Sequence, residues 1–162
     1  MIYSKTCQYA IRALGYLASL EGRRPATVME VNAKTDVPPA YLAKIFQCLI
    51  KARILTSKSG PRGGYILKVN AARLTLLRVI KALDDAAESP LSNCVMGQTQ
   101  CNDKNPCCLH GVWTKARGQI SKTLARETIS TAFGNKKGIY PRKNNRVILS
   151  RGMQKIFGYG TT

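Results

Sequence analysis

The chain has 162 residues, 44% of them hydrophobic, which is enough for one domain with a buried core. Its 26 basic and eight acidic residues give a formal charge of +18, and this excess favours a polyanionic partner, above all nucleic acid. We expect no enzyme, because the sequence offers no Ser/His/Asp set, no carboxylate pair suited to a polar cleft and no phosphate-binding glycine loop.

The sequence also argues against export and against membrane insertion. Lys5, Gln8 and Arg12 interrupt the first twenty residues, so these lack the continuous apolar run of a signal peptide. No uncharged apolar stretch approaches the ~20 residues that a membrane span needs. We therefore expect a cytoplasmic protein whose six cysteines are reduced and available for metal binding or redox sensing.

Three amphipathic helices are predicted in the first part of the chain. Residues 5–20 repeat apolar side chains at helical spacing, and a capping-box pattern at residues 27–30 opens a second, short helix. A break at Pro38 and Pro39 precedes a third helix at residues 40–52, whose outer face is basic and aromatic. The candidate DNA-contacting residues of this face are Tyr41, Lys44, Gln47 and Lys51. Two short helices separated by a turn, the second with such a face, predict a helix-turn-helix.

A hairpin is predicted directly after the third helix. Two short strands, at residues 54–58 and 65–69, flank a Ser-Gly-Pro-Arg-Gly-Gly turn whose glycines and proline permit a tight tip with Arg62 at its apex. A hairpin that follows a recognition helix is typical of a winged helix, and a basic tip without any acid favours contact with DNA. The candidate DNA-contacting residues of the tip are Ser59, Pro61, Arg62 and Gly63.

A further amphipathic helix at residues 74–84 completes a winged helix-turn-helix DNA-binding domain, which we assign to residues 1–90. The predicted fold class is thus mainly α with a small β-hairpin wing. The acidic cluster Asp84, Asp85 and Glu88 is interpreted as a solvated helix end, because no nucleophile or base accompanies it at a useful spacing.

Residues 91–110 form a cysteine-rich loop. Four of the six cysteines and the only histidine lie here, among Gly, Asn, Asp and Pro residues that favour an irregular backbone. Thiolate and imidazole are soft ligands that suit zinc or iron–sulfur chemistry. The candidate ligands are Cys94, Cys101, Cys107, Cys108 and His110. Cys7, on the apolar face of the first helix, is predicted to be a core thiol, and Cys48 a spare surface thiol.

Residues 109–133 predict a long helix with a narrow apolar stripe. Its apolar side chains recur every three or four positions, at Leu109, Trp113, Ala116, Ile120 and Leu124. Because the preceding domain has its own core, we expect this stripe to pack against a second copy of the helix in a homodimer. The alternative is that the helix packs back on its own domain.

Residues 134–162 differ in composition from the rest of the chain. They contain five glycines, seven basic residues and no acidic residue. We expect a poorly ordered basic tail that adds non-specific affinity for DNA.

Several motifs occur together and in a characteristic order. They are Ser4-Lys5-x-x-x-Tyr9-Ala10, Tyr41-Leu42-x-x-Ile45-Phe46, the wing Gly60-Pro61-Arg62-Gly63-Gly64-Tyr65, the cysteine loop and Leu109-His110-x-x-Trp113. On these motifs, roughly residues 1–130 resemble the Rrf-type winged-helix regulators of bacteria, the group that includes IscR, NsrR and RirA.

The resemblance implies an iron–sulfur cluster whose state sets the affinity for DNA. It implies Cys94, Cys101 and Cys107 as thiolate ligands and His110 as the fourth ligand, with Cys108 as an alternative. Gln8 stands where other branches of the family place a carboxylate ligand, which favours the histidine. Histidine ligation favours a 2Fe-2S cluster, and four thiolates would also allow a 4Fe-4S cluster.

The implied function is a transcriptional regulator, expected to be a repressor. It would read a palindromic operator in double-stranded DNA as a homodimer, with an affinity controlled by a cluster that senses iron, redox or nitric oxide status. Two alternatives stay open: a zinc-stabilised DNA-binding protein, and a metal-free thiol switch that uses Cys107 and Cys108.

Overall fold

A computed structural model describes residues 3–84, 93–99 and 101–134 of the chain. The predicted tail at residues 134–162 lies outside the described residues apart from Gly134, as do Asp85 and Glu88. The helices are α1 (Lys5–Ser19), α2 (Val28–Thr35), α3 (Pro39–Lys51), α4 (Leu76–Leu83), α5 (His110–Arg126) and α6 (Ile129–Phe133). The strands are β1 (Leu55–Lys58) and β2 (Gly64–Leu67). The mainly α fold with one hairpin is therefore confirmed.

The first three helices form as their capping residues predict. The Thr27 hydroxyl accepts the backbone N–H of Glu30 at the start of α2, and Asp36 ends that helix in a left-handed conformation at φ 55°. Pro39 occupies the first turn of α3, where its missing N–H costs nothing. The apolar faces of these helices meet in one core, whose largest fully buried side chains include Phe46, Leu14, Leu42, Ile45 and Leu49.

The hairpin is held against the segment that precedes α2. Strands β1 and β2 pair antiparallel, with Leu55 opposite Leu67. Tyr65 and Ala26 exchange two backbone hydrogen bonds, of 2.9 and 3.1 Å. Gly64 makes this approach possible, because its φ is +149° and a Cβ there would lie 2.5 Å from the carbonyl oxygen of Ala26. The wing is thus fixed relative to the helix-turn-helix.

Asp84 corrects one prediction from the sequence. Asp84 was expected to be a solvated helix end. Its carboxylate instead accepts hydrogen bonds from the Ser4 backbone N–H at 3.2 Å and from the Ser4 hydroxyl at 2.5 Å. Ser4 is also the N-cap of α1, where its hydroxyl oxygen accepts the backbone N–H of Cys7. The end of α4 is therefore tied to the start of α1.

The single helix expected at residues 109–133 is instead two helices. Helix α5 ends at Arg126, and Thr128 caps the short helix α6. Backbone hydrogen bonds of 2.8 Å from Leu76 to Glu127 and from Ile129 to Leu74 hold the connection against the start of α4. Gly15 of α1 faces the ring of Phe133, and a Cβ at Gly15 would lie 2.7 Å from it. The chain therefore turns back onto its own domain after residue 126.

Most of α5 lies outside the core. Leu124, near its end, is the buried residue of this helix, whereas Val112 is 70% exposed and Leu109, just before it, is 42% exposed. Ile120 also packs against the core. The second half of the predicted stripe therefore packs back on its own domain, and the exposed large apolar side chains lie at the start of the helix. Among the described residues, no helix is both long enough and apolar enough to cross a membrane.

Candidate metal centre and DNA-binding surface

Three of the predicted ligands come together in the cysteine loop. The sulfur atoms of Cys94, Cys101 and Cys107 all lie within 4.8 Å of one another. The sulfur atoms of Cys94 and Cys107 are 3.5 Å apart, and all three residues are half-buried. Three cysteines that are six or seven positions apart in the sequence therefore bring their sulfur atoms close together.

His110, in the first turn of α5, lies beside this group and contacts one of its members. Its Nδ1 lies 3.1 Å from the sulfur of Cys101, and its backbone N–H donates to the carbonyl of Cys107 at 3.0 Å. On the other side of the ring, Nε2 lies 2.9 Å from a carboxylate oxygen of Asp103. Cys108 is exposed and does not belong to the group of three sulfur atoms.

Local turns in the loop bring the cysteines together. The side-chain oxygen of Asn102 accepts the backbone N–H groups of Lys104 and Asn105, at 2.9 and 3.0 Å. Gly97 adopts a φ of 72°, and its N–H donates to the carbonyl of Cys94 at 3.0 Å. The indole N–H of Trp113 donates to the carbonyl of Asn93 at 2.8 Å and so ties the start of the loop to α5.

The thiols of the cluster differ in acidity. Burial raises the pKa of Cys94, but hydrogen bonds from the backbone at Gln98 and Met96 and from neighbouring thiols outweigh it and bring this pKa down to about 7. Burial raises the pKa of Cys107 to about 11, and the nearby Cys94 and Cys101 thiols contribute to the rise. Since the thiolate is the form that binds metal, Cys94 is the thiol that is ready to bind near neutral pH.

The donor set fits a metal centre. A single tetrahedral ion with metal–sulfur bonds of about 2.3 Å holds its thiolates about 3.8 Å apart, comparable to the separations here. Three thiolates and one imidazole also suit an iron–sulfur cluster. The other three cysteines lie outside this set: Cys7 is fully buried, with a pKa raised by burial to about 12, and Cys48 and Cys108 are exposed.

The residues predicted to contact DNA lie on the surface. Tyr41, at the start of α3, is 52% exposed. Gly63 at the tip of the hairpin is half-buried. The other candidates on α3 and at the tip are exposed: Lys44, Gln47, Lys51, Ser59, Pro61 and Arg62. The structure thus places a recognition helix and a basic wing tip where solvent or DNA can reach them.

Helix α1 adds cations beside the start of α3. The ring of Tyr9 meets that of Tyr41 edge to face at 5.5 Å, and Lys5 and Arg12 lie 5.9 and 5.8 Å from the Tyr9 ring centre. These three α1 residues were not among the predicted DNA contacts. Lys5, Tyr9 and Arg12 lie four and three positions apart, on one face of the helix.

Residues 3–134 match the model of the Rrf2 family, described as iron-dependent transcriptional regulators. A protein of Aquifex aeolicus described by its similarity as an HTH-type transcriptional regulator is 31% identical over 144 residues, covering 87% of this chain and 98% of that protein. IscR of Sodalis glossinidius, another HTH-type transcriptional regulator, is 27% identical over 79% of this chain and 76% of its own length.

Two solved structures show the same fold. IscR of T. potens has a TM-score of 0.64 and 21% identity, and covers 81% of this chain and 85% of its own. CymR, the global cysteine regulator of B. subtilis, has a TM-score of 0.69 and 19% identity, and covers 85% of this chain and 99% of its own. The relatives are transcriptional regulators, in agreement with the expectation that the chain is not an enzyme. The family model and the Aquifex relative both extend over most of the sequence, and the chain belongs to the Rrf2 family of transcriptional regulators.

Proposed function

We propose that this regulator represses transcription from a palindromic operator as a homodimer, and that an iron–sulfur cluster held by Cys94, Cys101, Cys107 and His110 controls its affinity for DNA. The observation that carries the proposal is the convergence of three thiols within 4.8 Å, with the His110 imidazole 3.1 Å from one of them. The histidine favours a 2Fe-2S cluster, with a 4Fe-4S cluster as the alternative. A regulator that binds an operator acts where the DNA is, and we therefore expect this protein in the cytoplasm.

The cluster would supply a group whose gain, loss or change of oxidation state alters charge and geometry at the ligands. Cys107 and His110 stand at the start of α5, so a rearrangement there moves this helix. The far end of α5 is anchored in the core through Leu124, and α6 continues the chain onto α1. This path offers a physical connection between the ligands and the DNA-binding domain.

DNA recognition in this proposal combines two kinds of contact. Tyr41, Lys44 and Gln47 on α3 face base edges or phosphates in the major groove, and Arg62 at the wing tip contacts the backbone or the minor groove. Lys5 and Arg12 on α1 add phosphate contacts beside Tyr41. The high positive charge of the chain supports this assignment.

The test is purification without oxygen, followed by a visible spectrum, analysis of iron, sulfide and zinc, and DNA-shift assays. We expect a coloured protein that contains iron and acid-labile sulfide. Cys101→Ala should remove both and change operator affinity, whereas Cys48→Ala, at an exposed thiol outside the cluster, should retain them. Unchanged iron and sulfide in Cys101→Ala would contradict the proposed ligand set.

A zinc-stabilised DNA-binding protein is the first alternative. The mutual distances of the three sulfur atoms suit one tetrahedral ion, and three cysteines with one histidine are an ordinary structural zinc set. In that case the purified protein is colourless and holds zinc in place of iron and sulfide. Its affinity for DNA then depends on folding of the loop and does not respond to iron or nitric oxide.

A metal-free thiol switch is the second alternative, supported by the 3.5 Å separation of the Cys94 and Cys107 sulfur atoms. Hydrogen peroxide would oxidise the two thiols to a disulfide and be reduced to two molecules of water. The pair differs from the Cys107 and Cys108 pair expected from the sequence. Reversible loss of DNA binding with peroxide and thiol in metal-free protein, together with a Cys94–Cys107 cross-link in a peptide map, would favour this alternative.

A further inference from the structure

We propose that Asp103 is a positioning residue of the candidate metal centre, which orients the His110 ring and selects the tautomer that presents Nδ1 to the Cys101 side of the three-cysteine group. The inference rests on the proposed function, because it takes His110 to be a ligand. It adds a residue that the sequence pattern of cysteines and histidine does not identify.

The hydrogen bonds of His110 carry the first step. An ionised carboxylate only accepts hydrogen bonds, so the nitrogen 2.9 Å from the Asp103 oxygen, Nε2, must carry a proton and donate it. In a neutral imidazole the other nitrogen then holds the free lone pair. That nitrogen, Nδ1, is the atom 3.1 Å from the sulfur of Cys101. The contact with Asp103 therefore leaves the lone pair of the ring facing the thiols.

The arrangement of burial carries the second step. The His110 side chain is 13% exposed and that of Asp103 is 97% exposed, so the imidazole lies inside and the carboxylate outside. Histidines that bind metals usually donate their second N–H to a carboxylate or carbonyl in this manner, and the partner fixes the ring orientation. The Asp103 carboxylate contacts Nε2 of His110, on the side of the ring away from the contact between Nδ1 and Cys101, which favours a supporting role over that of a ligand.

The loop backbone carries the third step. Asp103 follows Asn102, whose side-chain oxygen holds the next two backbone N–H groups, of Lys104 and Asn105, in a tight turn. Asn102 and Asn105 also exchange backbone hydrogen bonds of 3.1 and 3.3 Å. The hydrogen bonds of this turn come from Asn102, Lys104 and Asn105, and the Asp103 side chain contacts His110 instead. Replacing this side chain should therefore leave the turn intact.

The test compares wild type and variants for the rate at which the anaerobically loaded protein loses its metal to EDTA. The loss is monitored by the visible spectrum or by zinc release. Water competes for the exposed carboxylate, so we expect Asp103→Ala to lose metal about tenfold faster, at the lower end of the range for such supporting residues. Asp103→Asn keeps an acceptor oxygen and should restore much of the stability. Lys104→Ala, at the neighbouring exposed position in the same turn, should behave like the wild type.

A double-mutant cycle separates positioning of His110 from a general effect on the loop. In a His110→Ala background, Asp103→Ala should cause no further acceleration of metal loss. An equal acceleration in both backgrounds would overturn the inference, as would wild-type rates in Asp103→Ala. Nitrogen NMR of the His110 ring in zinc-loaded protein provides a second readout, in which wild type should show Nδ1 bound and Nε2 protonated. If the wild-type protein holds neither iron nor zinc, the proposed function fails together with this inference.

Discussion

Asp84 and Ser4 show how single side chains join distant parts of the chain. The Asp84 carboxylate receives two hydrogen bonds from Ser4, and the Ser4 hydroxyl caps α1. Asp84 also ends α4, just before the segment that leads to the cysteine loop. One carboxylate thus joins the start of α1 to the end of α4. Helix α1 also carries Tyr9, whose ring contacts Tyr41 on the recognition helix.

We predict that Asp84→Ala destabilises the protein by about 1–2 kcal/mol, the usual cost of losing a cap and its hydrogen bonds. Urea unfolding followed by circular dichroism measures the change. Asp84→Asn is the matched control, because its amide oxygen can still accept from the Ser4 hydroxyl, and it should recover part of the loss. An unchanged unfolding midpoint in Asp84→Ala would show that water replaces the carboxylate without cost.

The residues of the metal centre could be predicted from sequence only in part. The cysteines and the histidine of one short loop predicted a metal site, and the structure brings the sulfur atoms of Cys94, Cys101 and Cys107 together. The contacts of Asp103 with His110 and of Asp84 with Ser4 could not be recognised, because residue type and local spacing do not reveal them.

At the scale of elements, Glu30 joins α1, α2 and the connection between them. Its carboxylate accepts two hydrogen bonds from the Arg24 guanidinium, at 2.6 and 2.9 Å, and one from the Tyr16 hydroxyl. Hydrogen bonding to Arg24 is the largest cause that lowers the pKa of the Glu30 carboxyl, and the bond from Tyr16 contributes. An ionised Glu30 therefore adds to the packing between α1 and α2.

This arrangement predicts a pH dependence of stability. The folded-state pKa of Glu30 lies below its unfolded value of roughly 4.3, so the stabilisation is present above that pH and is lost as the pH falls through the folded-state pKa. Glu30→Gln should lower the melting temperature at pH 7, and its difference from wild type should shrink in acid. Glu21→Gln is the control, because it removes the same charge from an ion pair with Arg23 that is largely exposed. Parallel melting curves of wild type and Glu30→Gln across this pH range would contradict the assignment.

Among the elements, those with local signals could be predicted and the break after α5 could not. The cap at Thr27 and the two prolines at the start of α3 predicted the helix-turn-helix. Nothing in the apolar stripe of residues 109–124 predicted that the helix ends at Arg126 and that a second helix follows. The break depends on tertiary contacts, since the connection pairs with residues 74–76 and α6 packs its Phe133 on Gly15.

At the scale of the whole molecule, we propose that the exposed apolar residues at the start of α5 contact a second copy of the chain. Leu109 and Val112 are exposed beside the metal centre, and the core of the winged domain is closed without them. A dimer built on α5 would place the two ligand groups near its axis and the two recognition helices at its ends, as a palindromic operator requires. Rearrangement at His110 would then change the separation of the two recognition helices.

We predict that Val112→Glu converts the proposed dimer into monomers, because it places a charge in the centre of an apolar contact. Light scattering with size-exclusion chromatography measures the mass, and DNA-shift assays on full and half operators measure the consequence. The variant should lose most of its affinity for the palindrome and keep its weak affinity for a half-site, since α3 and the wing are unaltered. Met29→Glu is the matched control, because Met29 is 65% exposed on α2 and Val112 is 70% exposed. A Val112→Glu protein that stays dimeric would place the interface elsewhere, whereas a monomeric variant with normal iron content would separate dimerisation from assembly of the metal centre.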